Sequence, residues 1–250
     1  MSGHSKWATI KRKKAATDAK RGKIFTKYIK EIIVAARAGG GDQNANPRLR
    51  TAILGAKSVN MPADNIERAI KKGTGELEGV NYEEITYEGY GPGGIAILID
   101  SLTDNRNRTT GEIRHILTKA GGRMADAGAV QWMFHAKGQL VVPRAAIDEN
   151  ALIELVLDAG ADDVGTEDPE SYEIITPLSQ LEAVKAALAK RGVTPTSAEI
   201  AKVPQNTIAL SEKDAEQALK LMEALEDHDD VQRISSNLDI ADEVLSKLQS

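Results

Sequence analysis

The sequence contains no cysteine and few aromatic residues, with two Trp, two Phe and five Tyr. The absence of cysteine excludes disulfides, thiolate nucleophiles, cysteine-ligated zinc and iron–sulfur clusters. No apolar run approaches the roughly 20 residues that are needed to cross a bilayer, and the basic N-terminus lacks the apolar stretch of a signal peptide. We therefore expect a cytoplasmic protein that has no membrane partner.

Charge is distributed unevenly along the chain. The first 30 residues contain ten Lys or Arg and a single acid, Asp18, although the net charge of the whole chain is −5. Residues 1–77 contain 17 basic and 6 acidic residues, whereas residues 78–250 contain 15 basic and 31 acidic residues. A basic segment of this kind repels itself unless a polyanion neutralises it. The sequence thus predicts a phosphate-binding module that is attached to acidic modules.

The first 75 residues have the pattern of a small helical bundle behind a basic arm. Apolar residues recur at helical spacing from Phe25 to Ala36, and the glycines from Gly39 onward end that segment. Asn46 followed by Pro47 is typical of a helix start, and we expect a third helix after Met61-Pro62.

The period of the apolar residues changes from about 3.6 to about 2 near Tyr82. Strands are predicted at 84–88 and 95–99, then a helix capped by Thr109 and Glu112, then a strand at 130–134. The segment from 139 to 203 alternates strand, helix, strand, helix and strand, and the tail adds one helix and one strand.

These elements predict an α+β multidomain protein, in which an N-terminal helical bundle precedes two α+β sandwich domains, one inserted in the other. The predicted domains are a basic helical domain with its arm at 1–78, a middle α+β domain at 79–137 plus 205–250, and an inserted ferredoxin-like α+β domain at 138–204.

Motifs for catalysis, cofactors and metals are weak. Gly89, Gly91 and Gly94 fit G-x-G-x-x-G, but a strand rather than a helix follows, so we interpret this segment as a hairpin turn. The four histidines are scattered, and nothing assembles a nucleophile, a base and an orienting group. We expect no enzymatic activity, no cofactor and no metal site.

The basic arm is the strongest chemical signal in the sequence. Phosphate contacts require cations and hydrogen-bond donors, and unpaired bases stack on aromatic side chains. A solvated charged face is the alternative interpretation. The candidate nucleic-acid-binding residues of the arm and the helical domain are His4, Ser5, Lys6, Trp7, Lys11, Arg12, Lys13, Lys14, Lys20, Arg21, Lys23, Lys27, Arg48 and Arg50.

Two further segments are candidates for nucleic-acid contact. The first lies at the predicted start of a helix and consists of Asn105, Arg106, Asn107 and Arg108. These residues either bind an anion at the helix N-terminus or only form a polar N-cap. The glycine-rich segment 121–128, which carries Arg123, is expected to extend as a flexible finger.

Eight segments of the chain together form a recognisable pattern. They are Gly3–Trp7, Lys20–Lys27, Gly39–Asp42, Asn46–Arg50, Asn60–Met61–Pro62, Asp64–Ile70, Tyr87–Gly94 and Thr103–Thr109. In these segments the chain resembles the YebC/PmpR family. The resemblance implies a helical N-terminal domain and two α+β domains in a cytoplasmic, non-enzymatic protein. At 121–125 this chain reads Gly-Gly-Arg-Met-Ala, where the family commonly has Gly-Gly-Asn-Leu-Gly.

The family resemblance also implies two alternative functions. Some members have been described as DNA-binding transcriptional regulators. Others, including the mitochondrial relative that activates cytochrome oxidase translation, are similar to ribosome-associated factors that assist peptide-bond formation at proline runs. We expect a monomeric translation factor that binds ribosomal RNA or tRNA, with a DNA-binding transcriptional regulator as the alternative. A third hypothesis is an acidic interaction scaffold formed by residues 140–250.

Overall fold

The computed structural model describes residues 18–241 and residue 244, with side chains described from Gly22 onward. The described chain divides into two compact units. The first unit holds the residues up to Ala129 together with Lys213–Ile234, and the second holds Val130–Glu212 together with the residues from Ser235 on. Within the described residues, every helix is too short or too polar to cross a lipid bilayer.

Among the described residues, the helical domain contains three helices around an apolar core. Asn46 starts the second helix, because its side-chain oxygen accepts the N–H of Leu49 at 3.1 Å while its Nδ2 donates to the carbonyl of Ala35 at 2.8 Å. This confirms the predicted Asn-Pro start. The helices are α1 (Asp18–Gly39), α2 (Pro47–Ser58) and α3 (Ala63–Thr74). The fully buried side chains of this core include Ile32, Leu49 and Ala56.

Helices α1 and α3 approach each other closely at Gly73. A Cβ atom at this position would lie 2.6 Å from the carbonyl oxygen of Ile33 and 2.6 Å from Cβ of Ala36. Only glycine therefore allows this crossing without displacement of the backbone.

The helical domain is followed by an antiparallel hairpin, β1 (Glu83–Tyr90) and β2 (Ala96–Thr103). Gly93 and Gly94 adopt positive φ angles of 68° and 79° in the connection. The interpretation of the glycine motif as a hairpin turn is confirmed, since glycine takes up this backbone conformation without steric cost.

The next two elements differ from the prediction. Helix α4 (Arg106–Lys119) begins at Arg106 with Asn105 as its N-cap, so the expected cap at Thr109 is wrong. Strand β3 (Arg123–Ala125) pairs with β1 inside the segment predicted to be a finger. The predicted strand at 130–134 is also wrong, because Gln131–Met133 forms a 3₁₀ turn.

The second unit contains a ferredoxin-like domain with two helices and a four-stranded sheet. Its strand order is β5-β6-β4-β7 and neighbouring strands are antiparallel. Sequence patterning did not predict the three-residue strand β5. The elements are β4 (Phe134–Pro143), α5 (Glu149–Asp158), β5 (Asp163–Gly165), β6 (Ser171–Thr176), α6 (Leu181–Lys190) and β7 (Ser197–Pro204).

The tail supplies β8 (Ile208–Ala209), α7 (Glu212–Glu226), β9 (Val231–Ser236) and β10 (Leu238–Asp239). Strand β9 lies beside β2, so the first sheet has the order β3-β1-β2-β9. We call β1–β3, α4, α7 and β9 the middle domain. The α+β fold class is confirmed, whereas the numerical domain boundaries stay a prediction.

Candidate nucleic-acid interface

A buried ion-pair network connects the helical domain to the middle domain inside the first unit. The carboxylate of Asp230, which is 3% exposed, accepts a hydrogen bond from Lys30 Nζ at 2.6 Å. It also accepts from Arg108 Nη2 at 2.7 Å and from Thr109 Oγ1 at 2.6 Å. We call these four residues the Asp230 network. Because loss of one partner leaves a buried charge uncompensated, this network fixes α1 against the middle domain.

The same contacts determine the ionisation of Asp230. Burial alone would raise the pKa of this carboxyl group, but hydrogen bonds from Lys30, Thr109 and Arg108 outweigh burial and hold the pKa well below its ordinary value. Hydrogen bonds to Asp230 and Asp104 raise the pKa of Arg108 above its ordinary value. The predicted nucleic-acid ligand Arg108 is therefore engaged by carboxylates of the protein itself.

Arg48 bridges the same two domains. Its Nε donates to Glu31 Oε1 at 2.8 Å and its Nη1 donates to Glu84 Oε1 at 2.8 Å. Hydrogen bonds to Glu84 and to Glu31 raise the pKa of Arg48 above its ordinary value. Since Glu31 lies on α1 and Glu84 lies on β1, this arginine would have to leave both carboxylates in order to bind a phosphate.

Two predicted lysines of α1 contact the end of α7. Lys23 Nζ donates to the carbonyl of Asp227 at 2.9 Å, and Lys27 Nζ donates to the carbonyl of Glu226 at 2.6 Å. Cations are favoured at the carbonyl end of a helix by its dipole. These lysines therefore extend the contact between α1 and the middle domain.

The start of α4 is a capped helix terminus. The side-chain oxygen of Asn105 accepts the N–H of Arg108 at 3.1 Å, and Thr103 Oγ1 accepts the N–H of Asn105 at 2.9 Å. Arg106 lies 3.6 Å from Glu83, while Asn107 is exposed. The arrangement is that of the cap interpretation, and anion binding at this terminus stays a prediction.

The segment 121–128 is held on both sides instead of extending as a finger. Its Arg123 pairs with Tyr90 across β3 and β1, and the guanidinium lies 4.9 Å from the centre of that tyrosine ring. The buried carboxylate of Glu88 accepts the N–H of Gly128 at 2.5 Å. The prediction of a flexible finger is therefore wrong, because strand pairing and this carboxylate fix the segment.

Other cations face outward and make no ion pair among the residues that the structure describes. Among the predicted residues this group contains Arg50 on α2. Sequence reasoning missed others, although their signal was available, since the helical period places them outside the apolar residues of their helices. The missed cations include Lys57 on α2, Arg68 on α3, and Arg114 and Lys119 on α4.

An open polar depression of about 530 Å³ lies beside the Asp230 network. Among the described residues, five carboxylates and three cations line it, and this balance of charge does not favour phosphate. The cations are Lys23, Lys30 and Arg108, and the acids are Asp104, Glu112, Asp227, Asp229 and Asp230.

Glu112, His228 and Asp230 bring potential metal-binding atoms within 4.8 Å of one another. His228 Nδ1 accepts the N–H of Asp230 at 3.1 Å, so Nε2 carries the proton of the neutral ring and donates to Glu112 at 2.8 Å. A metal at Nε2 would require a proton on Nδ1, opposite that backbone N–H. The geometry is that of a hydrogen-bonded cluster, not of a metal site.

Two family models together match most of the chain. The TACO1/YebC protein N-terminal domain matches residues 5–76, and the TACO1/YebC second and third domain matches residues 82–238. The chain belongs to the TACO1/YebC family.

Similar TACO1/YebC relatives extend over the whole chain. A protein of Syntrophobacter fumaroxidans is 58% identical over 249 residues, covering 99% of this chain and all of the relative. A protein of Geobacter sulfurreducens is 58% identical over 248 residues with the same coverage. Both carry the name "probable transcriptional regulatory protein".

A crystal structure of a conserved hypothetical protein from Aquifex aeolicus has the same fold. It superposes with a TM-score of 0.83 at 48% identity, covering 91% of this chain and 94% of that protein. The predicted family and fold class are therefore both confirmed.

Part of the candidate interface lies outside the described residues. These residues are His4, Ser5, Lys6, Trp7, Lys11, Arg12, Lys13 and Lys14. Lys20 and Arg21 belong to helix α1, but only their backbone is described. The TACO1/YebC N-terminal domain includes all of these positions except His4, and their role stays a prediction.

Proposed function

We propose that this TACO1/YebC protein is a non-enzymatic, nucleic-acid-binding regulator of gene expression that acts in the cytoplasm as a ribosome-associated translation factor. The observation that carries this proposal is the locked arrangement of the first unit. The Asp230 network and Arg48 hold the helical domain on the middle domain, so exposed cations on α2 and α4 keep a fixed spacing. A fixed, distributed set of cations suits the irregular phosphate surface of folded RNA.

The charges on helix α3 favour RNA binding over insertion of this helix into the major groove of DNA. Helices α2 and α3 are joined by only four residues, as in a helix-turn-helix. In the first turns of α3, Asp64 is exposed and Glu67 is paired with Lys71 at 2.7 Å. Asp64 would therefore face the phosphates that flank a groove, which disfavours α3 as a recognition helix.

A DNA-binding transcriptional regulator is the second candidate, because the relatives carry that name. It requires sequence preference, and a loss of affinity for one operator when a few base-contacting residues are changed. RNA binding instead predicts tolerance to sequence and sensitivity to the fold of the nucleic acid.

Co-sedimentation with intact bacterial ribosomes at near-physiological salt, with excess duplex DNA as competitor, separates these two functions. We expect stoichiometric pelleting that DNA does not displace. Pelleting that DNA abolishes, or no pelleting, would contradict the ribosomal proposal and direct the search to a promoter site.

Charge-reversal variants test which surface carries this binding. We expect Lys11→Glu/Lys14→Glu/Lys20→Glu and, separately, Arg50→Glu/Lys57→Glu to weaken pelleting by about tenfold. The control Lys190→Glu/Arg191→Glu changes the same kind of charge at the end of α6, and we expect it to pellet like the natural protein. Equal pelleting of all variants would contradict docking through the helical domain.

The finer part of the proposal is that ribosome binding relieves stalling at proline-rich sequences. A reconstituted translation reaction on a message with a proline run measures this directly. We expect the purified protein to raise full-length product from that message and to leave a matched message without the run unchanged. If the protein affects both messages equally, the proposed role at stalled ribosomes is contradicted, whereas the proposal of ribosome binding stands.

A further inference from the structure

Helix α4 concentrates positive charge in a part of the chain that is otherwise acidic. Residues 78–250 contain 15 basic and 31 acidic residues, yet four of those 15 lie within the 14 residues of α4 beside a single acid. The basic residues are Arg106, Arg108, Arg114 and Lys119, and the acid is Glu112.

The charged residues of α4 are used in two ways. Arg108 pairs with Asp104 and Asp230, and Glu112 accepts a hydrogen bond from His228. Arg114 and Lys119 are exposed and make no ion pair in the part of the chain that the structure describes. These two cations therefore remain available to a ligand.

The outward face of α4 is a continuous polar surface. Its residues are all exposed and follow the helical spacing i, i+4, i+7, i+8 and i+11, over about 17 Å. Arg114 Nη2 lies 4.0 Å from the sulfur of Met124, so the face continues to β3. Its residues are Asn107, Gly111, Arg114, His115 and Thr118, with Lys119 beside them at the end of the helix.

No side chain projects from the middle of this face, where Gly111 lies. A Cβ atom added at Gly111 would meet no heavy atom within 4 Å. An exposed glycine inside a helix costs about 1 kcal/mol relative to alanine, and packing inside the protein does not account for it here. Without a side chain at this position, a polymer backbone can approach the helix closely between Asn107 and Arg114.

We infer that the outward face of α4 binds the sugar–phosphate backbone of an RNA strand. Arg114 and Lys119 supply charge for phosphates. The amide of Asn107 offers both a donor and an acceptor, and the imidazole of His115 adds ring nitrogens for hydrogen bonds, which suits the ribose 2′-hydroxyl that distinguishes RNA from DNA. This inference rests on the proposed function and adds a second contact surface to the one on the helical domain.

Fluorescence anisotropy tests the inference with a labelled 20-nucleotide single-stranded RNA and the DNA of the same sequence, at several salt concentrations. We expect Arg114→Glu/Lys119→Glu to lower RNA affinity about tenfold. The slope of log affinity against log salt concentration should also become less steep by about 1–2. Asn107→Ala/His115→Ala should lower RNA affinity about fivefold and change DNA affinity less than about twofold.

The matched control is Lys190→Glu/Arg191→Glu, in which Lys190 occupies the last turn of α6 as Lys119 occupies the last turn of α4. We expect it to bind like the natural protein, and thermal unfolding verifies that each variant is folded. If the natural protein binds RNA and the α4 variants bind equally well, the inference is overturned and the proposed function stands. If the natural protein binds neither RNA nor ribosomes, the proposed function is overturned and the inference with it.

Discussion

The contact between α1 and the middle domain and the core of the ferredoxin-like domain are stabilised by different interactions. At the first, a buried carboxylate is surrounded by Lys30, Arg108 and Thr109. At the second, apolar side chains pack together, with Leu140, Leu152 and Leu188 all at 0% exposure. Ion pairs and hydrogen bonds depend on exact donors and on pH, whereas apolar packing depends on volume. The ionic contact therefore specifies one arrangement of the helical and middle domains. The apolar core contributes to the free energy of unfolding of the ferredoxin-like domain.

Removal of the central carboxylate is expected to have the largest effect. Asp230→Ala leaves Lys30 and Arg108 without their shared partner, and we expect a loss of about 3–5 kcal/mol in the free energy of unfolding. Urea denaturation followed by circular dichroism measures it. The neighbouring Asp229→Ala removes an exposed carboxylate, and a cost above about 0.5 kcal/mol there would contradict a role specific to Asp230.

Truncation in the apolar core tests the other side of the comparison. Leu152→Ala removes a side chain at 0% exposure, so we expect a loss of about 2–5 kcal/mol in the free energy of unfolding. Leu157→Ala on the same helix truncates a side chain that is 47% exposed and should cost less than about 1 kcal/mol. Similar costs in urea denaturation would mean that burial does not decide the contribution.

The two regions should also differ in their response to pH. Because the pKa of Asp230 is lower in the folded state, its contribution is complete above the unfolded carboxyl pKa of about 3.9 and is lost as pH falls toward the folded pKa. The stability difference between the natural protein and Asp230→Asn should shrink by up to about 1.4 kcal/mol per pH unit below about pH 4. The cost of Leu152→Ala, measured over the same range, should stay constant.

A smaller effect is expected where α1 crosses α3. Gly73→Ala places a Cβ atom 2.6 Å from the carbonyl of Ile33, so we expect a loss of about 1–3 kcal/mol in the free energy of unfolding. Gly111→Ala has open space and should instead gain about 0.5–1 kcal/mol from helix propensity. Thermal unfolding of both variants measures the contrast, and equal shifts would contradict the close crossing.

The smallest effects separate an internally used arginine from an exposed one. Arg48→Ala removes contacts to Glu31 and Glu84 that are partly solvated, and we expect a cost of about 1 kcal/mol. Arg50→Ala should change the free energy of unfolding by less than about 0.5 kcal/mol and should weaken RNA binding. Urea denaturation and anisotropy together test this, and the reverse outcome would exchange the roles of the two residues.

Much of the fold was predictable because local signals were strong. Asn46-Pro47 started its helix as expected, and the glycines at 93 and 94 closed a hairpin. Strands β3 and β5 were missed, since three residues are too few for an alternating pattern to appear. Thr109 has the sequence of a cap, but Asn105 caps the helix one turn earlier and Asp230 takes the threonine hydroxyl instead.

The candidate site was less predictable than the fold. Positive charge along the sequence identified the helical domain, but it did not separate Arg48 from Arg50, which differ only in the carboxylates within their reach. Of the outward cations, Arg50 was predicted, whereas Lys57 on α2 and Arg114 and Lys119 on α4 were missed, although the helical period places them outside the buried residues.

By itself the sequence determined the family, the α+β class and the basic character of the helical domain, because these follow from motifs, periodicity and charge. Only the tertiary structure decided which charges are neutralised inside the protein. Lys30 and Asp230 are 200 residues apart in the chain, and their pairing depends on how the tail returns to the middle domain. A cation is available to a ligand only when folding brings no carboxylate to it, and sequence position alone does not contain that information.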